Sequence, residues 1–215
     1  FIATANAVRY CGAIPVFVDI EPATFNLDPA SLAAALSSRT KAVLVVHQMG
    51  MPANLAAILP IARTAGVPVI EDSACAVGSE ILWNGKWERI GQPHGDIACF
   101  SFHPRKVITT GDGGMLTTAD SRLDQAFRLL RQHGMSVSDT ARHGAKTVIF
   151  EKYLGTGFNY RMTDIQAAVG RVQLSRLPEL VAERRRLAAS YRSRLAAIPG
   201  LVLPEEPPWA HSNWQ

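Results

Sequence analysis

Apolar residues in this chain come in short unbroken runs, separated by stretches with helical spacing. Val67-Pro68-Val69-Ile70, Ile97-Ala98-Cys99-Phe100, Ile14 to Ile20 and Lys41 to Gln48 are four such runs. Runs of this length, bounded by turn residues, predict buried strands. Between them, Thr4 to Gly12 predicts a short helix with Gly12 as its C-cap. Asp28-Pro29 opens a second helix to about Ser37, with Asp as N-cap and Pro in the first turn. Leu55 to Ala65 predicts a third, followed by Gly66. Strands alternating with helices imply crossover connections and a mostly parallel sheet. Strands that are apolar throughout imply cover on both faces. The expected fold is therefore α/β, a three-layer α/β/α arrangement.

The second half reads differently. Leu123, Phe127 and Leu130 recur at helical spacing between Ser121 and Gln132. Thr163 followed by Gln166 has the pattern of a capping box and opens another helix. Pro178 starts a long helix to about Ile198, closed by Pro199-Gly200. Asn84-Gly85 predicts a hairpin inside the turn-rich excursion Trp83 to Pro93. His133 to Lys146 is polar and basic and is expected to be a long loop, either functional or a plain surface connection.

Chemistry concentrates in Asp96 to Thr118. Its strand run ends near Ser101 and His103, and Pro104 stops it because proline has no N–H for a ladder. Lys106 follows, then Gly111, Gly113 and Gly114, and Met115 to Thr118 predict a short returning strand. A lysine held on such a turn can form a Schiff base with a carbonyl. The run at Val67 ends in Glu71-Asp72-Ser73-Ala74-Cys75. A carboxylate past the carboxyl end of a buried strand stands where open α/β sheets place ligands.

Composition narrows the classes. The chain has 215 residues, 47% of them hydrophobic and 19% charged, which is ordinary for a globular protein. No run approaches the roughly 18 apolar residues of a membrane helix. No basic stretch precedes Phe1, so no signal peptide is expected, and the absence of an initiator Met suggests a piece of a longer chain. Cys11, Cys75 and Cys99 form no CxxC pair, so neither a metal site nor a disulfide framework is expected, and a reducing, cytoplasmic setting fits. The net charge of +4 is small and no nucleic-acid-binding motif accompanies it, so no nucleic-acid partner is expected. Neither GxGxxG nor GxxxxGK[ST] occurs.

Four stretches carry a family resemblance: FIATANAVRYCGAIPVFVDI (1–20), IEDSACAVGS (70–79), CFSFHPRKVITTGDGGMLTT (99–118) and GFNYRMTDIQAAVGRVQL (157–174). In this order they resemble the DegT/DnrJ family of sugar aminotransferases, which depend on pyridoxal 5′-phosphate (PLP). The resemblance implies a fold-type-I, aspartate-aminotransferase-like large domain over 1–200, its N-terminal part missing, with 201–215 starting a small C-terminal domain. It implies Lys106 as the Schiff-base lysine, Asp72 as partner of the pyridinium nitrogen and Ser101 as a phosphate ligand. Phe1 matches the aromatic that stacks on the ring, and Asn159 an asparagine that reaches the partner's phosphate across a homodimer. Cys75 stands where much of the family has Gln or His near the cofactor's 3′-oxygen, and a thiol is a poor replacement. His47, His103 and Tyr160 are candidates for the substrate pocket, and the phosphate-cradling glycine-and-hydroxyl motif is expected before Phe1. The implied reaction moves nitrogen from an amino acid, glutamate or glutamine, to a keto sugar that is usually nucleotide-linked. Two alternatives stand beside it: a non-catalytic regulator that keeps the fold, and a sugar dehydratase, which has histidine in place of the lysine and against which Lys106 speaks.

Overall fold

The fold is given by a computed structural model, which describes residues 1–92, 94–137, 144 and 146–215. Three parallel strands form its centre: β1 (Val43–Val46), β2 (Val69–Asp72) and, third in the sheet, β5 (Ile97–Ser101). β6 (Gly114–Thr117) returns antiparallel along β5, so the order is β1-β2-β5-β6. The expected α/β architecture with a mostly parallel sheet is what forms.

One face of this sheet carries the core. Val43, Val45 and Val69 point to α2 (Pro29–Ala35) and α3 (Leu55–Thr64), where Leu32, Leu55, Ile58, Leu59 and Ala62 close over them. Both helices start as their sequences dictate. The Asp28 carboxylate accepts from the Ser31 N–H, and the Asn54 side chain from the Ala57 N–H, each satisfying a donor the helix itself cannot. Removing a side chain such as Ile58, which has no exposed surface, costs about 2–5 kcal/mol.

The other face differs from expectation. Leu44, Val46, Ile70 and Asp72 are only half-buried, so an apolar run here does not mean cover on both sides. Along this face the sheet register sets Asp72 beside Cys99, with Ser101 two residues further on the same side of β5. The half-open face is where the candidate site lies. α1 (Ile2–Tyr10) reaches it through Thr4.

A second, antiparallel sheet has the order β4-β3-β7, built from β3 (Glu80–Trp83), β4 (Lys86–Arg89) and β7 (Ala210–His211). Asn84 and Gly85 join β3 to β4 with φ of 49° and 79°, the left-handed pair that a tight hairpin requires. The rest of the excursion, apart from Pro93, which lies outside the described residues, ends in a bridge between Ile90 and Gln92.

Three helices complete the chain: α4 (Ser121–Leu130), α5 (Asp164–Ser175) and α6 (Leu177–Leu195). The capping box at α5 forms as its spacing predicts, with Thr163 accepting from the Gln166 N–H and the Gln166 side chain accepting from the Thr163 N–H. Much of the loop expected over 133–146, namely 138–143 and 145, lies outside the described residues. No helix among the described residues is long and apolar enough to cross a membrane.

One expected strand does not form. Ile14 to Ile20 makes no ladder beyond an isolated bridge between Ile20 and Leu27, and Val16 and Phe17 are more than 70% exposed. A strand needs a neighbour to pair its N–H and C=O groups. Among the described residues that neighbour is absent.

Candidate active site

Two turns at the carboxyl ends of β2 and β5 build the site. On the first, Asp72 ends β2. Its Oδ1 accepts from the Ala74 N–H at 3.1 Å and so shapes the turn, while its Oδ2 accepts from the Thr4 hydroxyl at 2.6 Å. Cys75 is on the same turn. On the second, β5 ends at Ser101, and a tight turn at 103–106 closes with the Lys106 N–H donating to the His103 carbonyl at 2.9 Å. The turns meet where Lys106 Nζ lies 3.1 Å from Cys75 Sγ.

The lysine turn is fixed from several sides. Val107 and Ile108, immediately after Lys106, are buried against Leu177 and Val181 at the start of α6. Further on, the Phe102 N–H donates to the Gly113 carbonyl and the Thr110 N–H to the Phe102 carbonyl. Gly113 has φ of 145°, and a Cβ there would come within 2.7 Å of Thr110 Oγ1, so the close return of this loop needs glycine. At the far end of the chain, Gln215 accepts from the Val107 N–H at 3.0 Å and donates to the Arg105 carbonyl at 2.7 Å. Asn213 holds the other turn by donating to the carbonyls of Cys75 and Val77 at 2.8 and 2.9 Å.

Of the residues singled out from sequence, Lys106, Asp72, Cys75 and Ser101 come from these two turns. The Ser101 hydroxyl accepts from the His103 N–H at 3.3 Å, leaving its own proton free to donate. Phe1 precedes α1, the helix that touches Asp72, and is 89% exposed. Asn159 sits in an isolated bridge with Gln132. No hydrogen bond among the described residues ties Phe1 or Asn159 to Lys106, Asp72 or Ser101. Tyr160 is exposed and stacked on Phe158 with ring centroids 4.9 Å apart, and His103 is exposed on the lysine turn.

His47 is not a pocket residue. It is wholly buried on the core side, where its Nδ1 accepts from the Ala53 N–H at 2.9 Å. That bond leaves Nε2 carrying the proton, which it donates to Glu71 Oε2 at 2.9 Å. The second oxygen of Glu71 accepts from the Gly95 N–H at 2.6 Å. This satisfied network braces β2 from behind and leaves Asp72, the next residue, facing the open side. Cys99, beside Asp72 in the sheet, has its thiol pushed up to about 11, first by burial and then by the Asp72 and Glu71 carboxylates, so it stays protonated at neutral pH.

Sequence reading missed Thr4, Asn213 and Gln215. Thr4 is 68 residues from Asp72, and the two glutamine bonds span more than 100, so no local spacing announces them.

Comparison with known proteins gives these turns a context. GDP-perosamine synthase of Caulobacter vibrioides is 46% identical over 202 residues, 94% of this chain and 50% of that protein. UDP-N-acetyl-3-dehydro-alpha-D-glucosamine 3-aminotransferase of Acidithiobacillus ferrooxidans is 40% identical over 212 residues, 98% of this chain and 53% of that protein. The crystal structure of S. venezuelae DesV in complex with a ketimine intermediate superposes with a TM-score of 0.88 at 35% identity, covering 100% of this chain and 53% of that one. The chain thus spans about half the length of the curated relatives it matches. A family model described as the DegT/DnrJ/EryC1/StrS aminotransferase family matches residues 1–215, from the helix that touches Asp72 to the glutamine that clamps the lysine turn, and the chain belongs to that family.

Proposed function

We propose that this chain carries the cofactor-binding part of a PLP-dependent aminotransferase. The observation that supports this most directly is the 3.1 Å contact between Lys106 and Cys75, because it brings the lysine turn against the turn that carries Asp72. An amine, a carboxylate and a hydroxyl with a free proton, grouped at the carboxyl ends of parallel strands, fit the aldehyde, the ring nitrogen and the phosphate of PLP. When bound, PLP supplies an electron sink for the bonds at the carbon that carries the transferred nitrogen.

Lys106 would bind the aldehyde carbon and, once displaced by an amino donor, carry protons at its Nζ between donor and cofactor. Asp72 would keep the ring nitrogen protonated, with Thr4 and Ala74 holding its two oxygens in place. Ser101 would donate to the phosphate. Phe1 offers an uncovered ring for stacking, and Asn159 would serve the partner's site in a homodimer. Cys75 would stand near the cofactor's 3′-oxygen. In this reading residues 1–200 form the large domain and 201–215 begin the smaller one.

The acceptor in this reading is a keto sugar linked to a nucleotide, because one relative is named for a GDP sugar and another for a UDP sugar. Glutamate or glutamine gives the nitrogen, and the setting is cytoplasmic. The test is borohydride reduction of the full-length protein mixed with PLP, followed by peptide mapping. Cofactor fixed on Lys106, and lost in Lys106→Ala, is the expected result. Label on another lysine, or none on a folded protein, overturns the assignment.

A further inference from the structure

Cys75 has a second chemistry open to it, independent of cofactor binding. Cys75 is half-buried at the edge of the open face, and its sulfur receives the Lys106 Nζ at 3.1 Å. The contact is held by backbone anchors on both sides: Asn213 on the Cys75 and Val77 carbonyls, Gln215 on Val107 and Arg105. A primary amine is thus kept at contact distance from the thiol of a half-buried cysteine.

We propose that Cys75 and Lys106 are a modification site for hydrogen peroxide, closing into a covalent sulfur–nitrogen bond that removes the lysine from use. In the first step the peroxide O–O bond breaks, the thiol sulfur takes one oxygen to become a sulfenic acid, and water leaves. Sulfenic acids condense with nearby thiols or with nitrogen. In the second step the Lys106 nitrogen attacks the sulfur, the S–O bond breaks, and the hydroxyl leaves as a second water with a proton from the amine. Overall one peroxide is reduced to two waters and the pair loses two hydrogens, about 2 Da. A thiol added afterwards attacks the sulfur, the S–N bond breaks and the amine leaves with the thiol's proton; a second thiol then reduces the mixed disulfide and returns Cys75.

Cys99 provides the contrast within the same site. It is one strand away, and burial and the neighbouring carboxylates hold it as the protonated thiol, which is the unreactive form. Cys11 is exposed and is removed by Cys11→Ser to keep the readout clean.

The bond itself follows from the contact between the two side chains; its consequence for the cofactor rests on the function proposed above. The experiment treats the full-length Cys11→Ser protein, freed of cofactor, with hydrogen peroxide and maps its peptides. The expected product joins the Cys75 and Lys106 peptides, about 2 Da below their sum, and dithiothreitol separates them. With Lys106→Ala the linked product is lost and Cys75 stops at its sulfenic or sulfinic acid. With Cys75→Ser no linked product forms, and PLP fixation by borohydride after peroxide equals that variant's own untreated level. Cys75 oxidised in the wild type with no linked peptide, or left unoxidised, overturns the proposal. If untreated protein fixes no PLP on Lys106 yet the linked peptide forms, the cofactor reading fails and the modification site stands.

Discussion

Thr4→Val isolates the contribution of one hydrogen bond to the site. Valine keeps the size and branching of threonine and removes only the hydroxyl that donates to Asp72 Oδ2 at 2.6 Å. The bond ends on a carboxylate, and such bonds contribute about 1.5–3 kcal/mol. Thr4 and Asp72 are both half-buried rather than sealed, which favours the low end of that range. The Ala74 N–H still holds Oδ1, so the carboxylate is loosened rather than freed. A loss of about 1.5 kcal/mol corresponds to roughly tenfold weaker PLP binding, since 1.4 kcal/mol is one decade. α1 has no buried residue, so the substitution leaves the core intact and thermal unfolding stays close to wild type. Thr4→Ser keeps the hydroxyl and binds PLP like the wild type. The assay is equilibrium titration of the full-length protein with PLP. Valine and serine variants that bind equally tightly would refute the idea that Thr4 orients Asp72.

Two further outcomes follow from the buried groups around it. Glu71→Gln leaves one acceptor oxygen where glutamate has two and sets an NH2 group in place of the other, so either the His47 Nε2–H or the Gly95 N–H loses its partner; urea unfolding should show a loss of about 2–3 kcal/mol, and a change below about 0.5 kcal/mol would show that the network is not needed. Cys99 is protonated in the fold up to about 11 against an ordinary value of 9.0, so between those values the unfolded chain binds fewer protons than the folded one and stability falls as pH rises. Unfolding midpoints measured from about pH 8 to 11 should decline less steeply in Cys99→Ala than in the parent.

What could be read in advance was local. The capping box at Thr163, the N-cap at Asp28 and the Asn84-Gly85 hairpin each depend on residues no more than three apart, and each formed as read. Lys106 and Asp72 stood out because apolar runs end beside them. Patterning failed where the deciding partner is distant. Ile14 to Ile20 has the composition of a strand but lacks a neighbour to pair with. His47 looked like site chemistry, yet register turns it to the core face with Val45, where Glu71 receives it. Thr4 gives no local sign of its role, since its partner is a carboxylate brought close only by the tertiary fold.

The bonds made by Asn213 and Gln215 also bear on when the site comes into being. They reach back 138 and 108 positions to Cys75 and Val107, across the largest loops the chain closes around these turns. Contacts at such separation form only after a large entropic cost has been met, and they come late in folding. During synthesis, a nascent chain that has emerged through α6 has its central sheet and its lysine but not the clamp that holds the two turns together. Translation must pass residue 215 before lysine and thiol are pinned, so the site matures later than the scaffold that carries it.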